Sequence, residues 1–154
     1  MVQNNILEFT AKKNFNVSAD INLVWDILNK PEKVVFCVPG AELTEVIDKN
    51  NFKGKVIIKI GPVTARFNGK VTFTRRDSEK YEFTMEGHGS DLSGKGGVTM
   101  RMSICLKAIE KSTLVESNMS ISITGRIAQF GSRMIDAVSS KLFDQFTKNF
   151  SKLI

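Results

Sequence analysis

The closing stretch from Arg126 to Ile154, RIAQFGSRMIDAVSSKLFDQFTKNFSKLI, constrains the fold more than any other part of the chain. Apolar side chains recur at Ile127, Phe130, Met134, Ile135, Val138, Leu142, Phe146, Phe150 and Leu153, in steps of three and four that gather on one face of a single long helix. Arg133, Asp136, Ser140, Lys141, Asp144 and Lys148 fall on the other side and meet water. Phe143 makes the stripe wider than a coiled-coil seam, so the helix must lie on a broad apolar surface. Gly131 interrupts the stripe where alanine would favour a helix by about 1 kcal/mol. Two explanations stay open, close packing of the backbone on a strand and a thinned spot in a cavity wall. They give opposite signs for Gly131→Leu: stability held or raised if the side chain fills a cavity, a loss of roughly 1 to 3 kcal/mol if it overpacks a full core.

The surface that helix needs is supplied by alternation in the rest of the chain. Leu7, Phe9, Ala11, Phe15 and Val17 share one face of a strand, with Lys13 the discordant member. Ser18 is placed to cap a short helix bearing Ile21, Val24, Trp25 and Leu28, and Pro31 opens a second, PEKVVFCV, that stops at Pro39 and Gly40. Strand patterns then follow without interruption: Leu43 to Ile47, Phe52 to Ile60, Val63 to Arg75, and runs around Tyr81–Gly89, Val98–Ala108 and Val115–Ile123. The order is strand, two short helices, six strands, long helix. Short turns between consecutive strands imply an α+β domain, an antiparallel seven-stranded sheet with one apolar face, and only the final helix is long enough to cover it.

The lining of that face is unusual. Three neighbouring strands turn Met85, Gly87 and Gly89, then Val98, Met100 and Met102, then Met119 inward. Glycine brings no side chain and methionine adapts to irregular space, so filling is lowest where a sheet under a helix should be fullest. Either the methionines plug a closed core, or an apolar pocket lies between sheet and helix, bounded by Trp25, Phe36, Phe67, Phe83, Met85, Met100, Met102, Met119, Phe130, Gly131 and Met134. The glycine-rich GHGSDLSGKGG, residues 87 to 97, precedes no helix and lacks a Walker-type Lys-Ser/Thr pair, which fits a hairpin at the pocket mouth rather than a phosphate cradle.

Reactive groups are sparse. His88, the only histidine, has outward parity, and Glu86 and Asp91 beside it define no metal geometry. Arg126, Arg133, Gln129 and Ser132 are the polar groups near the helix start that could orient a carbonyl or head group. Cys37 and Cys105 read as buried free thiols, weakly indicating a reducing, cytoplasmic setting. A net charge of +6 over scattered lysines, a single tyrosine and no basic cluster argue against nucleic acid. The outward Lys53, Lys55, Lys59, Arg66 and Lys70 would still attract an acidic protein or anionic lipid. No apolar run is long enough to cross a bilayer.

Taken in order, VWDILNKPEKVVFCVPGAE (24 to 42), KIGPVTARFNGKV (59 to 71), GHGSDLSGKGG and TGRIAQFGSRMIDAVSSKLFDQF (124 to 146) resemble the carbon monoxide dehydrogenase G-subunit (CoxG) family of the START-like, Bet v 1-like superfamily. The resemblance implies a helix-grip fold over the whole chain, a non-catalytic accessory role beside molybdenum-containing dehydrogenases and hydroxylases, and a cavity for a quinone or lipid. No cofactor beyond such a ligand is expected. The expected setting is the cytoplasm, with peripheral contact at the inner face of the membrane. Some family members have a membrane-inserting C-terminal tail, and a chain ending at Ile154 is not expected to anchor by one. The competing reading is a small START-like enzyme, cyclase or hydrolase-like, acting on a hydrophobic substrate. The scarcity of inward ionisable groups counts against it.

Overall fold

A computed structural model describes residues 6–94 and 96–154. Strand β1 (Ile6–Val17) leads into helix α1 (Ile21–Leu28), helix α2 (Pro31–Val34) and a 3-10 turn at Val35–Cys37. There follow β2 (Ala41–Val46), β3 (Asn51–Ile60), β4 (Val63–Asp77), β5 (Glu82–Asp91), β6 (Gly97–Ile109) and β7 (Ser112–Thr124). A second 3-10 turn, Arg126–Phe130, precedes helix α3 (Gly131–Leu153). The strands form one antiparallel sheet in the order β1-β7-β6-β5-β4-β3-β2, with α3 across its apolar face: the expected α+β helix-grip arrangement.

Three local expectations are corrected. Asp20 rather than Ser18 caps α1, its carboxylate accepting the Asn22 N–H at 2.9 Å. The second short helix tightens after one turn into the 3-10 turn at Val35–Cys37. The long helix starts at Gly131 and not at Arg126, because Gly125 (φ 84, ψ −154) and Gly131 (φ 83, ψ 165) adopt extended left-handed conformations that essentially only glycine reaches. The segment between them is thereby an elbow rather than a first helical turn. Nothing lies within 4 Å of a Cβ placed on Gly131, so the residue does not serve close packing on a strand.

The core has two centres. One gathers Val17, Val24, Leu28, Cys37, Phe52, Phe73, Phe83, Leu106, Val115 and Phe150 beneath α1 and the C-terminal end of α3. Phe15 stands edge-on to Phe143, Phe146 and Phe150 at 5.7 to 6.1 Å, and Asn149 Nδ2 donates to the Cys37 carbonyl at 3.1 Å. The other centre joins Ile60, Ala65, Phe67, Ile123, Ile127, Ala128 and Ile135 at the N-terminal end of α3. There Arg126 Nε donates to the Asp91 carboxylate at 3.2 Å, fastening the elbow to β5. Helix α3 is thus clamped at both ends.

Candidate functional site

Between the two centres the inner face of the sheet is not closed. Val56, Ile58, Gly69, Val71, Met85, Gly89, Met100, Met102, Met119 and Ile121 all have inward parity, and each keeps part of its surface accessible. The backbone of α3 comes closest to β1, β3 and the Val35–Cys37 turn, so the helix rests on the flanks of the curved sheet and is held off its central strands. A Cβ added to Gly87 would first meet the flexible end of Met100 at 3.3 Å, and one on Gly89 would meet Phe67 at 3.6 Å. The nearest atoms belong to neighbouring strands in both cases, not to the helix.

Register places the methionines in a row. Ala11 on β1 faces Met119 on β7, which faces Met102 on β6, which faces Met85 on β5, which faces Phe73 on β4. The next row is Phe9, Ile121, Met100, Gly87 and Val71. At the β4–β5 centre Gly69 faces Gly89. A Cβ on Gly69 would run into the His88 carbonyl, so this glycine permits the strands to approach, whereas Gly87 and Gly89 lower the floor.

The structure divides the sequence-derived lining set. Met85, Met100, Met102 and Met119 come together on the central floor. Phe83 and Phe67 are buried in the two core centres and form its ends, with Trp25 edge-on to Tyr81 at 5.9 Å and tilted against Phe83 at 5.9 Å. Phe130 and Met134 pack at the elbow end, where Met134 Sδ also covers Gly61. Gly131 is part of the elbow, where an added Cβ would meet open space. Phe36 leaves the set: it is 81% exposed, because the tightening at Val35–Cys37 turns Cys37 inward and Phe36 out.

The polar candidates resolve in the same way. Arg126 is tied to Asp91, while Arg133, Gln129 and Ser132 are exposed at the start of α3. The Asp91 carboxyl is held below the usual carboxylate range, first by the Ser93 backbone N–H and then, against the cost of burial, by Arg126. Glu86 pairs with Arg101 at 3.1 Å on the outer face, opposite to the side Asp91 occupies, and His88 is exposed. Cys37 is buried as expected, but Cys105 is only half-buried, on the outer face beside Glu82 and Glu116. Burial pushes both thiols up, and the two carboxylates add to this at Cys105, so neither is an activated nucleophile.

Two features escaped the sequence. A bulge between Phe73 and Arg75 reverses parity and brings Arg76 to the inner side, its guanidinium 3.8 Å from the centre of the Phe73 ring. On the outer face a shallow groove of about 660 Å³ crosses the middle strands, lined by Thr10, Lys12, Thr74, Thr84, Glu86, Arg101, Ser103, Asn118 and Ser120 with Ala11, Met102 and Met119 between them. Most of its lining residues are of polar type, so the sequence there carries no hydrophobic signature. Only the curvature of the assembled sheet reveals it.

Similar structures share this architecture. A conserved protein from Geobacillus kaustophilus superposes with a TM-score of 0.84 at 23% identity, covering 94% of this chain and 93% of its own. The Zhui aromatase/cyclase from Streptomyces sp. R1128 gives 0.64 at 10% identity, with 96% and 94% covered. Ginseng major latex-like protein 151 from Panax ginseng gives 0.61 at 14% identity, with 95% and 97% covered. These likenesses establish the helix-grip fold. A sequence search of curated proteins gave no match. The family model for the carbon monoxide dehydrogenase G-subunit (CoxG) matches residues 14–154, from the middle of β1 through the whole of α3, and the chain belongs to that family.

Proposed function

We propose that the protein is a non-catalytic binder of an apolar molecule, a quinone or a lipid, that serves a molybdenum-containing dehydrogenase or hydroxylase at a membrane. The observation that carries this reading is the accessible methionine and glycine floor beneath a helix supported on the flanks of the sheet. Methionine side chains repack around irregular apolar shapes, and a floor lowered at Gly87 and Gly89 leaves room for one. Family membership supports the accessory role. Catalysis is disfavoured by the chemistry of the inner face: Asp91 is committed to Arg126, Arg76 to the Lys49 carbonyl and the Phe73 ring, and among the described residues no general acid and base stand together over the methionine row.

The test is extraction of the purified protein with organic solvent followed by mass spectrometry, beside titration of the apo protein with a short-chain quinone monitored through Trp25, the only tryptophan. A near-stoichiometric apolar molecule and saturable quenching are expected. Recovery of no apolar molecule together with no saturable binding would reject the reading.

A further inference from the structure

We propose that Lys13 is the head-group anchor of this site, binding an acceptor oxygen on an otherwise apolar ligand: the carboxylate of a fatty acid or the carbonyl of a quinone. The inference rests on the apolar-ligand reading above and names the polar end of that ligand. Lys13 lies on β1 at a position whose parity points to the inner face, between Ala11 and Phe15. Every other residue of that set on β1 is apolar, so a lysine there breaks the pattern that builds the strand.

Its surroundings make the break chemically specific. Lys13 Nζ donates to Ser140 Oγ on α3 at 3.2 Å, and Ser117, directly across on β7, carries a second inward hydroxyl. Among the described residues no carboxylate pairs with it. An ammonium has three donors, and with one given to Ser140 two remain for the oxygen of a ligand. Phe15, packed on Phe143, Phe146 and Phe150, closes the side toward the core. The other side opens, one pleat away, on the row Ala11, Met119, Met102 and Met85. Four strands at about 4.8 Å spacing give a trough of roughly 14 Å. A molecule lying along it with its tail toward β5 brings its head to the β1 edge, where the lysine stem, running along apolar surface, delivers the charge.

The alternative role is a latch that clasps β1 to α3 through Ser140, and the experiment separates the two. Wild type, Lys13→Met and Ser140→Ala would be titrated with cis-parinaric acid, with its methyl ester and with decylubiquinone, and melted in parallel. Loss of about tenfold or more in affinity for the acid in Lys13→Met, with the ester unchanged and Ser140→Ala like wild type, supports a carboxylate head. The same selective loss for decylubiquinone supports a quinone carbonyl. Equal binding of all probes by wild type and Lys13→Met overturns the role of Lys13 and leaves the apolar site standing. Parallel loss of all three probes in both variants, with lowered melting temperature, overturns it in favour of the latch. Failure of wild type to bind any probe overturns this inference and the binding function together.

Discussion

Gly125 and Gly131 hold backbone angles closed to other residues, and between them the chain turns from the last strand into its one long helix. Because a Cβ on Gly131 meets nothing, the cost of replacing it lies in the backbone and not in packing. Gly131→Ala and Gly131→Leu are therefore expected to destabilise by similar amounts, about 1 to 3 kcal/mol each, read from urea unfolding. A leucine variant as stable as wild type would contradict the strained elbow. The gain in stability expected of replacing a glycine inside a helix does not apply at this position. Periodicity could not show this, since Ile127, Phe130, Met134 and Ile135 fit a helical face whether or not the helix breaks among them. Both Ile127 and Ile135 are buried, as that face requires, but from two different elements.

At the scale of elements, the corner between α1 and α2 is tied by charge. Asp26 accepts hydrogen bonds from Lys30 Nζ at 2.6 Å and Lys33 Nζ at 2.8 Å, and these hold its pKa down to about 2 from an ordinary 3.8. A carboxylate depressed by folding stabilises fully above its unfolded value and ceases to do so as pH falls through the folded one. The tie is thus expected to persist at neutral pH and to release between about pH 4 and 2. Carboxyl-carbon NMR of Asp26 should show the low midpoint, and faster amide exchange at Lys33 and Val34 should appear in the same window. An Asp26 midpoint near 3.8 would refute the tie. The strands were legible to within three residues at either end because alternation is a local signal: the inward sets of β3 and β6 stand as their parity required. The α2 region was less so, since one turn of α-helix and one of 3-10 share the same residues and spacing.

At the scale of the whole molecule, the outer face joins like charges across strands. Lys53 on β3 stands directly opposite Lys70 on β4, and the next residue in that row is His88 on β5. Lys55 is the exception, paired with Glu42 at 3.5 Å. No helix among the described residues is long and apolar enough to cross a membrane. Unpaired cations grouped on one face attract anionic lipid electrostatically. Co-sedimentation with vesicles containing phosphatidylserine should fall steeply between low and physiological salt, and fall further when Lys53, Lys59, Arg66 and Lys70 become glutamine. Lys55→Gln should matter least. Binding that ignores both changes would remove this surface from consideration. The floor of the candidate site was readable from strand parity alone, through Met85, Met100, Met102 and Met119. Phe36 and the outer groove were not, because exposure at a tightened turn and curvature across five strands arise only on assembly.

Strand β1 has one partner, β7, pairing Ile6 with Thr124 and Val17 with Thr113, while the remaining strands each pair with a neighbour in sequence. On a ribosome the first strand is therefore made about a hundred residues before the strand it will bond to. At about 5 to 20 residues per second this leaves it without a mate for roughly 5 to 20 s. The meander from β2 to β6 can close in the meantime, but β1 waits with both edges bare. Lys12, Lys13, Asn14 and Asn16, crowded onto so short a segment, give that waiting strand charge and polarity enough to discourage pairing with a second nascent chain. The lysine that faces the finished interior thus serves the chain before an interior exists.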